Sequence, residues 1–174
     1  MNSRNGCQHT ISVLVENKFG VLARVAGLFS GRGYNIESLS VNSTHDPEVS
    51  KMTIVTSGDE DVIEQIDRQL NKLVDVISVT DLASGDFIER ELILIKVSVS
   101  SQTRSDIIQL TEIFGGKIIN AHKNELAIEL SGSGEKIANF INLMSEFDIV
   151  EVVRTGRAAI SRAPGLTQDY DKTK

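Results

Sequence analysis

The hydrophobic positions of this chain alternate between a pattern typical of strands and one typical of amphipathic helices. His9–Val15 is a short run rich in β-branched residues, which favours a strand. Apolar residues then recur at the spacing of a helix face, and Gly31 and Gly33 are placed to end that helix. Two extended runs, a second helix that starts near Asp59 and a closing strand follow. The first half therefore predicts the order β-α-β-β-α-β.

The second half repeats this plan. Glu91–Ser100 has strand character, Gln102–Phe114 has a helical apolar face, and a hairpin pattern, a helix over Glu135–Phe147 and a strand over Asp148–Gly156 follow. Corresponding strands lie about 80 residues apart, which indicates one supersecondary plan used twice. The predicted fold class is α+β, with two ferredoxin-like βαββαβ units whose antiparallel sheets carry helices on one face.

A short polar segment separates the two units. We assign residues 8–82 to a first domain, the "ASGDFIER" stretch over 83–90 to a linker, and 91–156 to a second domain. The tail over 157–174, which contains Pro164 and Gly165, is expected to be loosely ordered.

Several predicted strands are apolar on both faces. In "ELILIKV", Leu92 and Leu94 alternate with Ile93 and Ile95, although a sheet with helices on one face needs only one apolar side. An apolar second face is typical of a surface covered by another layer or partner. The pattern therefore predicts at least a homodimer.

Composition excludes several classes of function. The 174 residues carry a net charge of −6, so the chain lacks the positive field that nonspecific nucleic-acid binding requires. The single Cys7 cannot form an internal disulfide, and no apolar run reaches the ~18 residues of a membrane span or forms a signal peptide. A cytoplasmic protein with neither a nucleic-acid partner nor a membrane partner is expected.

The stretch "ENKFGVLARVAGLFSGRGYNIESL" places a candidate anion site where the first helix begins. Backbone amides in a first helical turn lack partners within the helix and lie at the positive end of its dipole, so a carboxylate is a suitable guest. Two carboxamides and several apolar residues nearby suit a free amino acid with a branched side chain. The candidate residues are Asn17, Gly20, Val21, Leu22, Asn35 and Ile36. Equally, Asn17 and Gly20 can simply form the turn, and Asn35 can start the next strand.

Longer phrases carry a resemblance to a known family. "SVLVENKFGVLARVAGLFSGRGYNIESLSV", "SKMTIVTSGDE", "IEQIDRQLNKLVDVISV", "ERELILIKV", "EIFGGKIIN" and "IVEVVRTGRAAISR" resemble the small, regulatory subunits of acetohydroxyacid synthase, also called acetolactate synthase. The resemblance spans about residues 9–163. It implies an ACT domain in the first half, which dimerises and holds an effector at the interface of paired domains through positions that match the six candidates.

The same resemblance implies the biochemical role. Members of this family are noncatalytic and bind a large catalytic subunit, which they activate and make sensitive to feedback inhibition by branched-chain amino acids, chiefly valine. No cofactor is expected in this chain, whereas thiamine diphosphate, Mg and FAD are expected in the catalytic partner. One departure is Phe19, because ACT loops often have proline directly before the glycine. The loss of that ring leaves the rigidity of the loop open.

Two other classes of protein share parts of the pattern. RNA-recognition modules also use the β-α-β-β-α-β order, but they need aromatic residues and basic charge on the sheet. This chain has 5% aromatic residues and no Trp. An amino-acid sensor that controls another enzyme or a transcription factor stays open as an alternative. Gly31 and Gly33 do not form a dinucleotide loop, because a strand follows them, and the three histidines lack the spacing of metal ligands.

Overall fold

The computed structural model describes residues 7–162 and divides them into two units, one of 7–88 with 158–162 and one of 89–157. The elements of the first unit are β1 (Cys7–Glu16), α1 (Val21–Gly31), β2 (Ser38–Ser43), β3 (Val49–Gly58), α2 (Glu60–Leu70) and β4 (Val76–Asp81). A 3₁₀ turn at Leu82–Ser84 follows. The second series is β5 (Phe87–Ser98), α3 (Arg104–Ile113), β6 (Lys117–Ala121), β7 (Glu125–Gly132), α4 (Gly134–Met144) and β8 (Ile149–Arg154), and β9 (Ala158–Ser161) comes last.

The two sheets have the same topology, which confirms the predicted fold class. Their strand orders are β2-β3-β1-β4 and β6-β7-β5-β8, with antiparallel neighbours throughout. Each central strand even shifts register at the same place against its last partner, after Leu14 in β1 and after Lys96 in β5. These positions are 82 residues apart, so each residue of β1 corresponds to the residue 82 positions later in β5.

Alternation along the central strands places the cores. Val13 and Val15 of β1 are fully buried with α1 and α2 residues such as Phe29 and Ile66, whereas Leu14 between them is only half-buried. A second cluster forms in the same way around β5, and it includes Ile93, Ile95, Val97, Ile107 and Phe140. Burial of these side chains supplies most of the driving force that holds each sheet to its pair of helices.

The helices α1 and α3 end in the same way, at a glycine with a positive φ. Gly33 has a φ of +72°, with the amide of Tyr34 bonded to the Phe29 carbonyl, and Gly115 ends α3 in the same way with a φ of +66°. This is the Schellman arrangement, in which glycine takes the left-handed position. Gly33 is therefore a cap as predicted, but Gly31 is not, because it is the last residue of the helix itself.

The predicted linker and tail are wrong in part. Residues 87–90 belong to β5, because the strand pattern of Phe87 and Ile88 continues into the apolar run behind it. Within the tail, Ala158–Ser161 forms β9, which pairs with β5, and the amide of Arg162 donates to the Asp86 carbonyl at 2.9 Å. The remaining predicted tail, with Pro164 and Gly165, lies outside the described residues.

The apolar second face behaves differently from residue to residue. Leu94 and its cross-strand neighbour Val153 are 39% and 52% exposed, while Leu92 is half-buried. The homodimer inferred from this face stays a prediction. At the open edge of the first sheet lies β2, which pairs only with β3 among the described strands. No helix in residues 7–162 is both long and apolar enough to cross a membrane.

Candidate functional site

The turn from β1 into α1 depends on the backbone conformation of Gly20. This residue is the N-cap of α1 with φ +81° and ψ −4°, in the left-handed region that side chains disfavour. A Cβ built on Gly20 would lie 3.6 Å from Nη1 of Arg24, an ordinary contact. Glycine is therefore required here by the chain conformation, in addition to any need for a ligand to approach the backbone.

This turn leaves backbone amides open at the start of α1. The amide of Val21 makes only a long bond of 3.4 Å to the Lys18 carbonyl. The amides of Gly20, Leu22 and Ala23 have no acceptor anywhere in residues 7–162. Three open N–H groups within four residues at a helix start are a suitable place for an anion to bind.

The start of α1 also lacks negative charge from its own helix. Of the four described α-helices, α1 alone has no acidic residue in its first turn, and the N-caps of α1 and α3 make no side-chain hydrogen bond to their helices. By contrast, Asp59 lies at the start of α2, as predicted, and caps this helix by accepting from the Val62 amide at 2.9 Å, while Ser133 caps α4. The positive end of the α1 dipole is thus left uncompensated by its own helix.

Asn17 fastens this loop to the turn between β2 and β3. Its backbone amide donates to the Glu48 carbonyl at 2.7 Å, and its Nδ2 donates to the Pro47 carbonyl at 2.8 Å. Its Oδ1 accepts from no group in the described part of the chain, so it remains available to a ligand's ammonium group. Asn17 therefore has a structural role and a spare acceptor.

Charged side chains surround the loop. Lys18 Nζ lies 2.7 Å from Glu16 Oε2, and this hydrogen bond raises the pKa of Lys18 above its usual value. On the helix, Arg24 Nη2 lies 2.6 Å from Oδ2 of Asp75, whose side chain is only 10% exposed. Arg24 is the one basic residue of α1 and lies in the first turn, next to Gly20.

Asn35 and Ile36 lie in the connection from α1 to β2. The Asn35 carbonyl accepts from Thr56 Oγ1 at 2.6 Å, and its exposed carboxamide has no partner within residues 7–162. Ile36 is half-buried and packs against the first core cluster. This connection can offer one free carboxamide and part of one apolar side chain.

The six predicted residues do not form one cluster within a single chain. Asn35 bonds to Thr56, which pairs with His9 near the start of β1. Asn17 instead follows Glu16, the last residue of β1, seven residues after His9. That interval is about 23 Å of strand, several times the length of an amino acid. The structure brings together Asn17, Gly20, Val21 and Leu22 at one end of α1 and puts Asn35 and Ile36 at the other.

Two details of the predicted site change. Val21 is 3% exposed and packs in the core, so its side chain cannot line a pocket there, whereas Leu22 is 42% exposed. The open amide of Ala23 was not among the predicted residues, although the general rule for first-turn amides includes it. Arg24 beside Gly20 was not predicted either, because no local sequence pattern signals that contact.

Known proteins are similar to this chain over nearly its whole length. A probable acetolactate synthase small subunit of Archaeoglobus fulgidus is 48% identical over 155 residues, which cover 89% of this chain and 97% of that protein. The chain belongs to the acetolactate synthase small-subunit family. The isozyme 3 small subunit of Escherichia coli is also 48% identical, over 153 residues that cover 87% of this chain and 94% of the relative.

Domain models of this family match both halves. Residues 11–78 match the AHAS small subunit-like ACT domain, and residues 90–163 match the model described as the small subunit of acetolactate synthase. The crystal structure of the acetolactate synthase small subunit from Thermotoga maritima is similar with a TM-score of 0.82 and 41% identity, covering 90% of this chain and 98% of that one. The first unit is therefore an ACT domain, and the RNA-recognition alternative is set aside.

Proposed function

We propose that this chain is a noncatalytic regulatory subunit, which activates the catalytic subunit of acetolactate synthase and makes it sensitive to feedback inhibition by valine. Family membership and the ACT domain support a regulatory role. The pathway served is the synthesis of branched-chain amino acids. In this proposal, thiamine diphosphate, Mg and FAD belong to the catalytic partner, and none of them binds here.

One observation carries the effector site. The start of α1 offers the amides of Gly20, Leu22 and Ala23 without an acceptor, a cap or an acidic residue in the first turn. The carboxylate of a free amino acid would accept from these amides in charge-assisted bonds, each of which contributes roughly 1.5–3 kcal/mol. The spare Oδ1 of Asn17 can accept from the ammonium group at the same time.

The separation of the two groups of residues supports a site shared by two copies of the chain. β2 is an edge strand, and its two ends lie near the two groups. If the β2 strands of two copies paired antiparallel about a two-fold axis, Asn35 and Ile36 of one copy would face Asn17 and Gly20 of the other. Leu22 from one side and Ile36 from the other would then contact the branched side chain.

Such a site would convert ligand binding into a change between two copies. A ligand held by residues from both copies favours the arrangement that closes around it, and the bound catalytic subunit senses that bias. A coupling of ~1–3 kcal/mol is typical and is enough to produce strong inhibition. The proposed linkage needs no chemistry in this chain, only unequal binding to two arrangements.

The test is calorimetric titration of the purified chain with valine, leucine, isoleucine and alanine. We expect one valine per chain and two sites per dimer. Alanine should bind roughly fifteenfold more weakly, because it lacks two methyl groups worth about 0.8 kcal/mol each.

Activity assays of the catalytic subunit complete the test. Adding this chain should raise the rate, and valine should reverse the increase only when the chain is present. Absence of heat with all four amino acids, together with a valine-insensitive complex, would contradict the proposal. Binding by a chain that stays monomeric at micromolar concentration would contradict the shared site alone.

A further inference from the structure

The pair formed by Arg24 and Asp75 lies against the proposed effector site and is not explained by it. The guanidinium of Arg24 extends from the first turn of α1 and reaches Asp75 with Nη2 at 2.6 Å. Its Nη1 lies 3.6 Å from the position of a Cβ on Gly20. The same side chain therefore contacts a buried carboxylate and borders the open amides.

Both partners of this ion pair keep unused hydrogen-bonding capacity. Asp75 is 8% exposed, and its buried Oδ2 makes no hydrogen bond of acceptable geometry within residues 7–162, despite the short approach of Arg24. Arg24 is half-exposed, and its Nε and Nη1 donate to no group of the described chain. The buried Asp75 carboxylate depends on the charge of Arg24 Nη2, while the spare Nη1 on the Gly20 side of the guanidinium can donate to a second carboxylate.

The second unit lacks this pair at the equivalent positions. With the offset of 82 residues set by the two register shifts, Arg24 corresponds to Asp106 in α3. Asp75 accepts from the Glu16 amide with its carbonyl, and Asp148 does the same for Ser98. The second unit therefore has two acidic residues in place of the cation and anion. A pair needed only to hold this fold together would be expected in both units.

We propose that Arg24 is a binding residue of the effector site, shared between Asp75 and the carboxylate of the bound amino acid. This inference rests on the function proposed above. When the effector binds at the open amides, its carboxylate competes with Asp75 for Arg24. The side-chain link between α1 and the loop before β4 weakens, while the backbone bond from Glu16 to Asp75 remains. Effector binding is thereby transmitted to the segment that leads into β4.

The test compares Arg24→Gln and Asp75→Asn by calorimetry with valine and with valinamide, which has no carboxylate. Arg24→Gln should weaken valine binding roughly tenfold or more, since it removes a charge-assisted contact. Asp75→Asn should strengthen valine binding several-fold, because the competing anion is gone. The preference for valine over valinamide should shrink in Arg24→Gln, a result that a purely structural role would not produce.

A matched control is Arg68→Gln, which removes a cation from the exposed Arg68–Glu64 pair on α2. It should leave valine affinity unchanged. If Arg24→Gln only lowers the melting temperature and keeps the valine affinity of the wild type, the pair is structural and the inference is overturned. If the wild-type chain binds no branched-chain amino acid, the proposed function fails, and the inference fails with it.

Discussion

The loops that enter the first helix of each unit occupy the same place in the same plan, but their amides have different partners. Ahead of α3, Ser100 Oγ accepts from the amides of Gln102 and Thr103 at 3.2 Å each, and Thr103 Oγ1 accepts from the Ser100 amide at 3.0 Å. Ahead of α1, no side chain in the described part of the molecule accepts from the amides of Gly20 or Leu22.

The attachment of the two loops is nevertheless the same. The Asn17 amide donates to the Glu48 carbonyl at 2.7 Å, and the Val99 amide donates to the Asn124 carbonyl at 2.8 Å. Because the two loops are attached by equivalent backbone hydrogen bonds, the difference between them lies in the side chains that each loop supplies. The second loop supplies acceptors for the amides of Gln102, Thr103 and Arg104, whereas the first leaves the corresponding amides of Gly20 and Leu22 without one in the described residues.

The largest expected effect comes from placing a carboxylate inside the first loop. Gly20→Asp would set its carboxyl group beside the open amides and within reach of Arg24, where the proposed site places the effector's carboxylate. We expect valine binding to fall by about a hundredfold or more, the loss of two charge-assisted bonds, while activation of the catalytic subunit survives. Calorimetry and the activation assay measure the two properties separately.

The control for this variant is Gly115→Asp in the second unit. Gly115 also has a positive φ, +66°, and has open space around its Cβ position, so the strain is similar. Valine binding and inhibition should be unchanged in this control. Full valine sensitivity in Gly20→Asp would remove the open amides from the effector site.

A mixed dimer tests whether the open loop is completed by a second copy. Chains with Gly20→Asp and chains with Asn35→Ala are produced together with two different tags and purified through both. Each such dimer should have one intact site and one doubly altered site, so valine should bind with about half the wild-type stoichiometry. Calorimetry on the doubly purified dimer gives the number of sites.

The reference for this experiment is a dimer with Gly20→Asp in both chains, each with a different tag. It should show no valine binding at concentrations that saturate the wild type. If the mixed dimer binds as poorly as this reference, the two groups of residues act within one chain or not at all, and the shared site is wrong.

The fold could be read from the sequence because its signals are local. Alternation of β-branched residues indicated the strands, and Gly33 marked the end of the first helix, which the structure confirms. The short strand Ala158–Ser161 was missed because four residues carry too little periodicity, and its partner in β5 is far away in sequence. The start of β5 was missed because polar residues surround it.

The candidate site was harder to predict from the sequence, because its residues come together through contacts that are not local. Asn17 and Ile36 are 19 residues apart in sequence, yet α1 carries the chain about 16 Å between them, toward the opposite end of β1. Asp75 meets Arg24 from a different loop, and no pattern in either segment signals that contact. The sequence indicated which residue types were present, and the structure decided which of them can act together.

The smallest expected effect comes from removing one polar side chain from each loop, which distinguishes a loss of valine binding from a loss of stability. Asn17→Ala removes one exposed hydrogen bond to Pro47 and the spare acceptor, and Ser100→Ala removes the acceptor for two amides. Each change should lower the free energy of unfolding by about 1 kcal/mol, as for the loss of an exposed loop hydrogen bond. Only Asn17→Ala should weaken valine binding, by roughly tenfold, because in the proposed site its Oδ1 accepts from the ammonium group.

Urea unfolding and calorimetry on the same two preparations make this a double comparison. Equal shifts of the unfolding midpoint show that the loops are equally damaged, so a difference in valine affinity then reports on ligand contact alone. If Ser100→Ala weakened valine binding as much as Asn17→Ala does, general loosening of the fold would explain both. The contrast between an open loop and a self-satisfied loop would then have no functional meaning.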